Sequence, residues 1–230
     1  MGLDQRYQEL VASLGLEQPR IVAVTKYASD EQLLAAYELG IRDFAENYVL
    51  TAMQRIDRLA SLLPEARWHF CGHLQKNKVN KAVGRFSLIQ SIDSLSLAAL
   101  VSARAEVLKL KQAVLIQVKL SQEQSKTGYQ VQDLRQDFPS LLKFPGLKIE
   151  GLMVMAPELG QDDSCIREIF GHLATLKTNL EREHNCQLSE LSMGMSDDYA
   201  LAIQQGSTMI RIGRALFEEG AGQNLKPVVK

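Results

Sequence analysis

The chain has 230 residues, 46% of them hydrophobic and 23% charged, with a formal net charge of −1 at pH 7. This is the composition of a globular protein with a sizeable core, and the near-zero charge excludes a general electrostatic hold on nucleic acid or an anionic membrane. The opening MGLDQRYQELVASLGL lacks the basic and then apolar pattern of a signal peptide, and no apolar stretch reaches bilayer length, so a cytoplasmic protein is expected.

Taken in chain order, a leading amphipathic helix over 3–14 is followed by short apolar or β-branched runs at 21–26, 43–46, 67–72, 88–92, 113–120, 148–155, 190–194 and 209–213. Between them lie stretches with helical spacing of apolar residues, among them 31–39, 48–62, 95–109, 165–183 and 197–205. Strands that are apolar throughout and separated by helices imply a parallel sheet covered on both faces or closed on itself. Eight βα units favour a (β/α)8 TIM barrel with short loops, the first helix being expected to cap its bottom. No linker or low-complexity stretch divides the chain, so one domain over 1–230 is expected. An open doubly wound sheet fits less well, because no GxGxxG opens the first unit.

Cys71, Cys165 and Cys186 are odd in number and widely spaced, which reads as reduced structural thiols. His69, Cys71 and His73 alternate along one strand, but no second cluster supplies the further ligand zinc needs, so no metal is expected.

In a barrel the chemistry sits at the C-terminal ends of the strands. Lys26 closes the first run. If held against apolar walls its pKa falls and its neutral amine can attack a carbonyl; if its stem packs on the strand and its head stays in water, it is inert. After the seventh run, Gly194 allows an unusual backbone angle, and Ser196 is placed to cap the 197–205 helix, where free N–H groups suit a phosphate. Asp197 and Asp198 would have to point away for that to hold; a simply capped helix is the alternative. In the eighth run Arg211 alternates into the barrel mouth, where a buried guanidinium requires a ligand atom or an internal carboxylate, and Gly213 lets backbone N–H groups approach a ligand. The basic run 73–81 reads as a solvated helix start, and 121–128 as a polar loop able to fold over a ligand.

Lysine at the end of strand one, the segments Glu46-Asn47-Tyr48, 68–78, 123–128, 151–153 and 191–198, and 206–213 ending Arg211-Ile212-Gly213 together resemble the YggS/PROSC family of pyridoxal 5′-phosphate (PLP) binding proteins over nearly the whole chain. The resemblance implies a barrel like the N-terminal domain of alanine racemase, with Lys26 holding the cofactor as a Schiff base. It further implies that Ser196 and the backbone at Gly213 and Arg214 hold the phosphate, that Arg211 faces the pyridine nitrogen, and that Asn47 and Met193 line the ring pocket. A cation opposite that nitrogen keeps it unprotonated and weakens the electron sink, which suits carriage better than catalysis. Two positions depart from the usual pattern, Cys71 for a branched aliphatic residue and Arg214 for a small or hydroxylated one that Arg214 could replace with a direct phosphate contact.

The resemblance thus implies a non-catalytic PLP protein in vitamin B6 and amino-acid homeostasis, with PLP-dependent apoenzymes as candidate recipients; the near-zero charge argues against nucleic acid or membrane partners, and the lack of an unusual apolar helix face makes a monomer the expectation. The chain ends soon after the eighth run without a second domain to lend a catalytic tyrosine, so two-base racemisation is not expected. The alternatives are a PLP-dependent racemase or decarboxylase and a cofactor-free Schiff-base aldolase.

Overall fold

Eight parallel strands close into a barrel in the computed structural model, which describes residues 2–120, 127–157, 162–218 and 228. In chain order the elements are α1 (Leu3–Leu14), β1 (Arg20–Val24), α2 (Asp30–Glu38), β2 (Asp43–Glu46), α3 (Val49–Leu59), β3 (Arg67–Phe70), a 3-10 turn (Lys76–Lys78) running into α4 (Val79–Ala82), and β4 (Leu88–Ile92). They continue with α5 (Leu95–Val107), β5 (Gln112–Gln117), α6 (Val131–Leu141), β6 (Leu147–Met153), α7 (Asp163–His184), β7 (Glu190–Ser192), α8 (Tyr199–Gln204), β8 (Met209–Ile212) and α9 (Arg214–Phe217). Each strand pairs in parallel with its sequence neighbour, and β8 returns to β1 in the register Val22 with Arg211 and Ala23 with Ile212. The (β/α)8 barrel expected from the eight repeats is the fold.

Alternation along the strands sorts the core into two parts. Val22, Ala45, Cys71, Leu88, Leu115, Met153 and Met209 form a cluster inside the barrel. Their outward neighbours, Ala23, Phe44, Phe70, Ile89, Ile116 and Ile210 among them, join the much larger layer beneath the helices. Local signals start the helices that matter for the site: Ser29 and Gln32 make a reciprocal capping box at α2, and Ser94 caps α5. Gly151 sets the spacing of β6 and β7, since a Cβ there would lie 1.9 Å from the Glu190 carbonyl oxygen.

Three expectations need correction. Helix α1 does not cap the bottom; it stands in the outer ring against α2 and α9, with Arg6 Nε donating to Leu216 O and Ser13 Oγ bonded to the Tyr199 hydroxyl on α8. The helix after β8 is one turn long, so α1 covers barrel surface that a full eighth helix would otherwise cover. Strands β1, β3, β5, β6 and β7 end two or more residues earlier than their apolar runs, although the first residue past each end, Thr25, Cys71, Val118, Val154 and Met193, is still buried. The alternating His69, Cys71 and His73 also part company: His69 and Cys71 are buried, whereas His73 is exposed and lies 3.4 Å from Asp93.

At the lower mouth, buried Asp43 accepts hydrogen bonds from Arg67 Nε (2.8 Å) and from His69 Nε2 (3.0 Å). Burial pushes its pKa up, but the Arg67 and His69 contacts outweigh it and hold the carboxyl well below the usual carboxylate range. A depressed folded pKa gives stability that is fully present above the unfolded value near 3.9 and is lost as pH falls below it. Asp43→Asn is expected to lower stability at pH 7 by about 2–4 kcal/mol and to flatten the decline of melting temperature between about pH 5 and pH 2. Thermal melts of both proteins across that range check it.

Candidate functional site

The upper mouth is organised by the loops that β1, β7 and β8 lead into. After Val24 the ladder extends by one bond, Thr25 N–H to Ala45 O (2.9 Å), and the chain then makes a four-residue turn closed by Ala28 N–H to Thr25 O (3.0 Å). Lys26 and Tyr27 take the two central positions of that turn. Lys26 is exposed at the mouth instead of ending a strand against sealed apolar walls, and its Nζ sits 4.8 Å from the centroid of the Tyr27 ring.

The segment after β7 depends on Gly194. Its φ of +97° lies in the left-handed region, and a Cβ there would fall 2.7 Å from Ala202 Cβ and 2.9 Å from Tyr199 Cα. Only glycine lets this turn close onto α8. Ser196 does not cap α8, which begins at Tyr199 with Asp198 in the capping position. Its hydroxyl instead accepts the Ala215 N–H (3.2 Å) in the first turn of α9, tying the seventh loop to the eighth. The two carboxylates that threatened an anion site are both engaged by residues that line the cleft. Asp198 accepts the N–H of Met195 (2.5 Å), and burial pushes its pKa up; Asp197 pairs with the exposed guanidinium of Arg214.

Arg211 is the central cation of the barrel. Its side chain is 4% exposed, donates from Nη1 to Ser192 Oγ (2.6 Å) and from Nη2 to Val154 O (2.8 Å), and burial lowers its pKa. Both partners are uncharged. From Arg211 a line of hydrogen bonds descends through the barrel: Ser192 donates to Gln90 Oε1 (2.7 Å), and the Gln90 amide meets His69 Nδ1 (3.0 Å). In that order His69 accepts at Nδ1 and donates from Nε2 to Asp43, at the opposite mouth.

Lys26, Ser196, Arg211, Gly213 and Arg214 all line one cleft of about 170 Å³, together with Met195. Five of the seven anticipated residues therefore converge, with an amine at one wall, a buried guanidinium at another, and a serine hydroxyl beside the start of α9. Gly213 keeps this end narrow, since a Cβ would lie 3.3 Å from Val24 O on β1. Met193 and Asn47 are not part of that lining. Met193 is fully buried in the layer under the helices, because on β7 the inward parity belongs to Glu190 and Ser192. Asn47, half-buried past β2, accepts a contact from the Cys71 thiol (3.4 Å), and burial raises the pKa of that thiol to about 11.

Residues 121–126 of the anticipated polar loop lie outside the described residues; at its end, Thr127 accepts from Gln117 Nε2 through its carbonyl (2.9 Å). The basic run after β3 is a mostly exposed 3-10 turn and short helix. Sequence reasoning missed Ser192, Gln90 and His69 as the support of Arg211. The signal was available, since each is a polar residue at an inward position of a buried strand.

The family model described as alanine racemase, N-terminal domain, matches residues 2–219. A pyridoxal phosphate homeostasis protein of Synechocystis sp. is 41% identical over 211 residues, covering 92% of this chain and 95% of its own length. The human protein of that name is 36% identical over 234 residues, with 95% of this chain and 84% of its own covered. PipY of Synechococcus elongatus, solved with PLP bound, superposes with a TM-score of 0.87 at 36% identity, covering 94% of this chain and 99% of its own. Alanine racemase of Clostridium difficile shares the fold alone, with a TM-score of 0.78 at 13% identity over 98% of this chain and 60% of its own. With its closed barrel, its cleft and a family match over residues 2–219, the chain belongs to the alanine racemase N-terminal domain family and, within it, to the pyridoxal phosphate homeostasis proteins.

Proposed function

We propose that this protein holds PLP reversibly in the cleft at the upper mouth and serves vitamin B6 and amino-acid homeostasis without robust turnover of its own. The observation that carries the reading is Arg211, a buried cation whose hydrogen-bond partners are both uncharged, in a cleft that also presents the Lys26 amine. The donor set fits the group: an amine for an aldehyde, a cation for a ring nitrogen, and a serine hydroxyl beside the backbone of Gly213 and Arg214 for a phosphate.

When bound, the cofactor supplies an electrophilic aldehyde and an aromatic ring that can accept electrons. Lys26 is the residue that takes the aldehyde covalently. Ser196 and the backbone at Gly213 and Arg214 hold the phosphate, while the Arg214 side chain is held by Asp197 at the outer rim. Arg211, fixed by Ser192 and Val154, offers N–H donors and positive charge to the ring nitrogen and so disfavours a proton there. That restrains amino-acid chemistry and favours storage. The names of the relatives and the PLP-bound PipY structure support the same assignment. The proposal covers one domain over residues 1–230, a monomer in the cytoplasm, with PLP-dependent apoenzymes as candidate recipients.

Titrating the purified protein with PLP tests the reading. One equivalent is expected to bind with a visible absorbance band, and the holoprotein is expected to release it without consuming a panel of amino acids. Steady racemisation or decarboxylation that depends on Lys26 would replace the carrier with an enzyme. A colourless protein that binds no PLP but cleaves a sugar phosphate would favour the aldolase.

A further inference from the structure

The turn that carries Lys26 is held from outside the barrel by a residue of the outer helix α3, Arg55. Arg55 is mostly buried, and each of its three nitrogens is engaged. Nη1 donates to Thr25 O (2.8 Å) and to Glu46 Oε1 (2.7 Å), Nη2 donates to Ala28 O (2.8 Å), and Nε lies 3.2 Å from Asp30 Oδ1. Thr25 and Ala28 are the two ends of the turn whose centre is Lys26-Tyr27. The guanidinium fork therefore grips that turn from outside by both terminal carbonyls. The fully buried Glu46 completes the grip, because the same Oε1 accepts the Thr25 hydroxyl (2.7 Å). Downstream, the Ser29 and Gln32 capping box fixes the next residues, and Gln32 Nε2 donates to Phe217 O in α9 (3.0 Å).

An exposed lysine on a free turn would sample many orientations, and misplacing a reacting group by about 1 Å can cost on the order of a hundredfold in rate. We propose that Arg55, with Glu46, is the positioning element that presents the Lys26 amine to the aldehyde of the ligand. This rests on the reading of Lys26 as the attachment residue. Arg55 does not itself line the cleft or touch a reacting atom; it acts through the backbone on either side of Lys26, at Thr25 and at the cleft-lining Ala28. Lysine cannot replace it, because one ammonium cannot span two carbonyls and a carboxylate in a fixed plane.

Two variants separate this role from simple stability. Arg55→Lys keeps a cation for the buried Glu46, and Arg55→Met/Glu46→Gln removes both charges together, so neither leaves a lone buried charge. Three quantities are measured in wild type and both variants. They are the rate of covalent PLP capture by borohydride trapping on Lys26, the affinity for pyridoxine 5′-phosphate, which keeps the ring and phosphate but lacks the aldehyde, and the hydrogen exchange of the Ala28 amide in the ligand-free protein. Capture is expected to slow by about tenfold to a hundredfold in both variants. Affinity for the aldehyde-free analogue should stay within about twofold, and Ala28 exchange should speed up by about tenfold. Wild-type capture rates in Arg55→Lys would overturn the proposal, as would a parallel loss of capture and analogue affinity. If the wild type captures no PLP at all, the reading of the site falls, and unchanged Ala28 exchange in the variants would then overturn the clamp by itself.

Discussion

Lys26→Ala is expected to abolish the Schiff-base absorbance band of the PLP-loaded protein, leaving only that of the free aldehyde, and to abolish borohydride trapping, while leaving the fold intact. Lys26 is exposed, and its one described side-chain contact is with the equally exposed ring of Tyr27, so its removal should move the melting temperature by no more than a few degrees. Ring and phosphate contacts would remain with Arg211, Ser196 and the start of α9, so binding should weaken without vanishing, by about tenfold or more. Lys26→Arg sharpens the result, because it preserves the charge at the mouth but cannot condense with an aldehyde. Loss of the band in both variants assigns the covalent link to Lys26 and not to an electrostatic contribution. A persistent band in either would move the attachment to another amine.

The same residue shows how far the sequence could be read. Its importance was visible from the apolar run before it and from the phosphate-compatible segments after β7 and β8. Its surroundings were not, because an apolar run marks where buried side chains are and not where a strand stops hydrogen-bonding. Thr25 is fully buried yet already past β1, so Lys26 lies on a turn. Strands β2 and β4 were bounded correctly, since polar and charged residues flank them immediately. The inward placement of Arg211 followed from strand parity; applied to β7, the same parity would have sent Ser192 inward and Met193 outward. Arg55 was invisible in a different way: on an amphipathic helix an arginine reads as solvent-facing. Only the packing of α3 beside the first loop brings it to Thr25 and Ala28.

Arg211→Met is expected to separate stability from ligand binding in opposite directions. Burying a guanidinium costs several kcal/mol of desolvation, and here the hydrogen bonds that offset it run to a serine hydroxyl and a backbone carbonyl and not to a carboxylate. An apolar side chain of similar length removes that cost and leaves Ser192 bonded to Gln90, with Val154 O as the acceptor that loses its partner. The ligand-free variant should therefore melt at or above the wild-type temperature, with a gain of about 1–3 kcal/mol. Binding moves the other way. Without the cation, affinity for PLP should fall by about tenfold or more, since charge-assisted contacts in a dry site contribute about 1.5–3 kcal/mol. The variant should also let the ring nitrogen of bound PLP take a proton more readily, which shows as side reactions with amino acids that are faster than in the wild type. Calorimetric melts and PLP titrations of the same preparation measure both effects. A variant that is strongly destabilised yet binds PLP as tightly as wild type would make Arg211 a structural residue of the barrel, and the restraint on chemistry would have to come from elsewhere in the cleft.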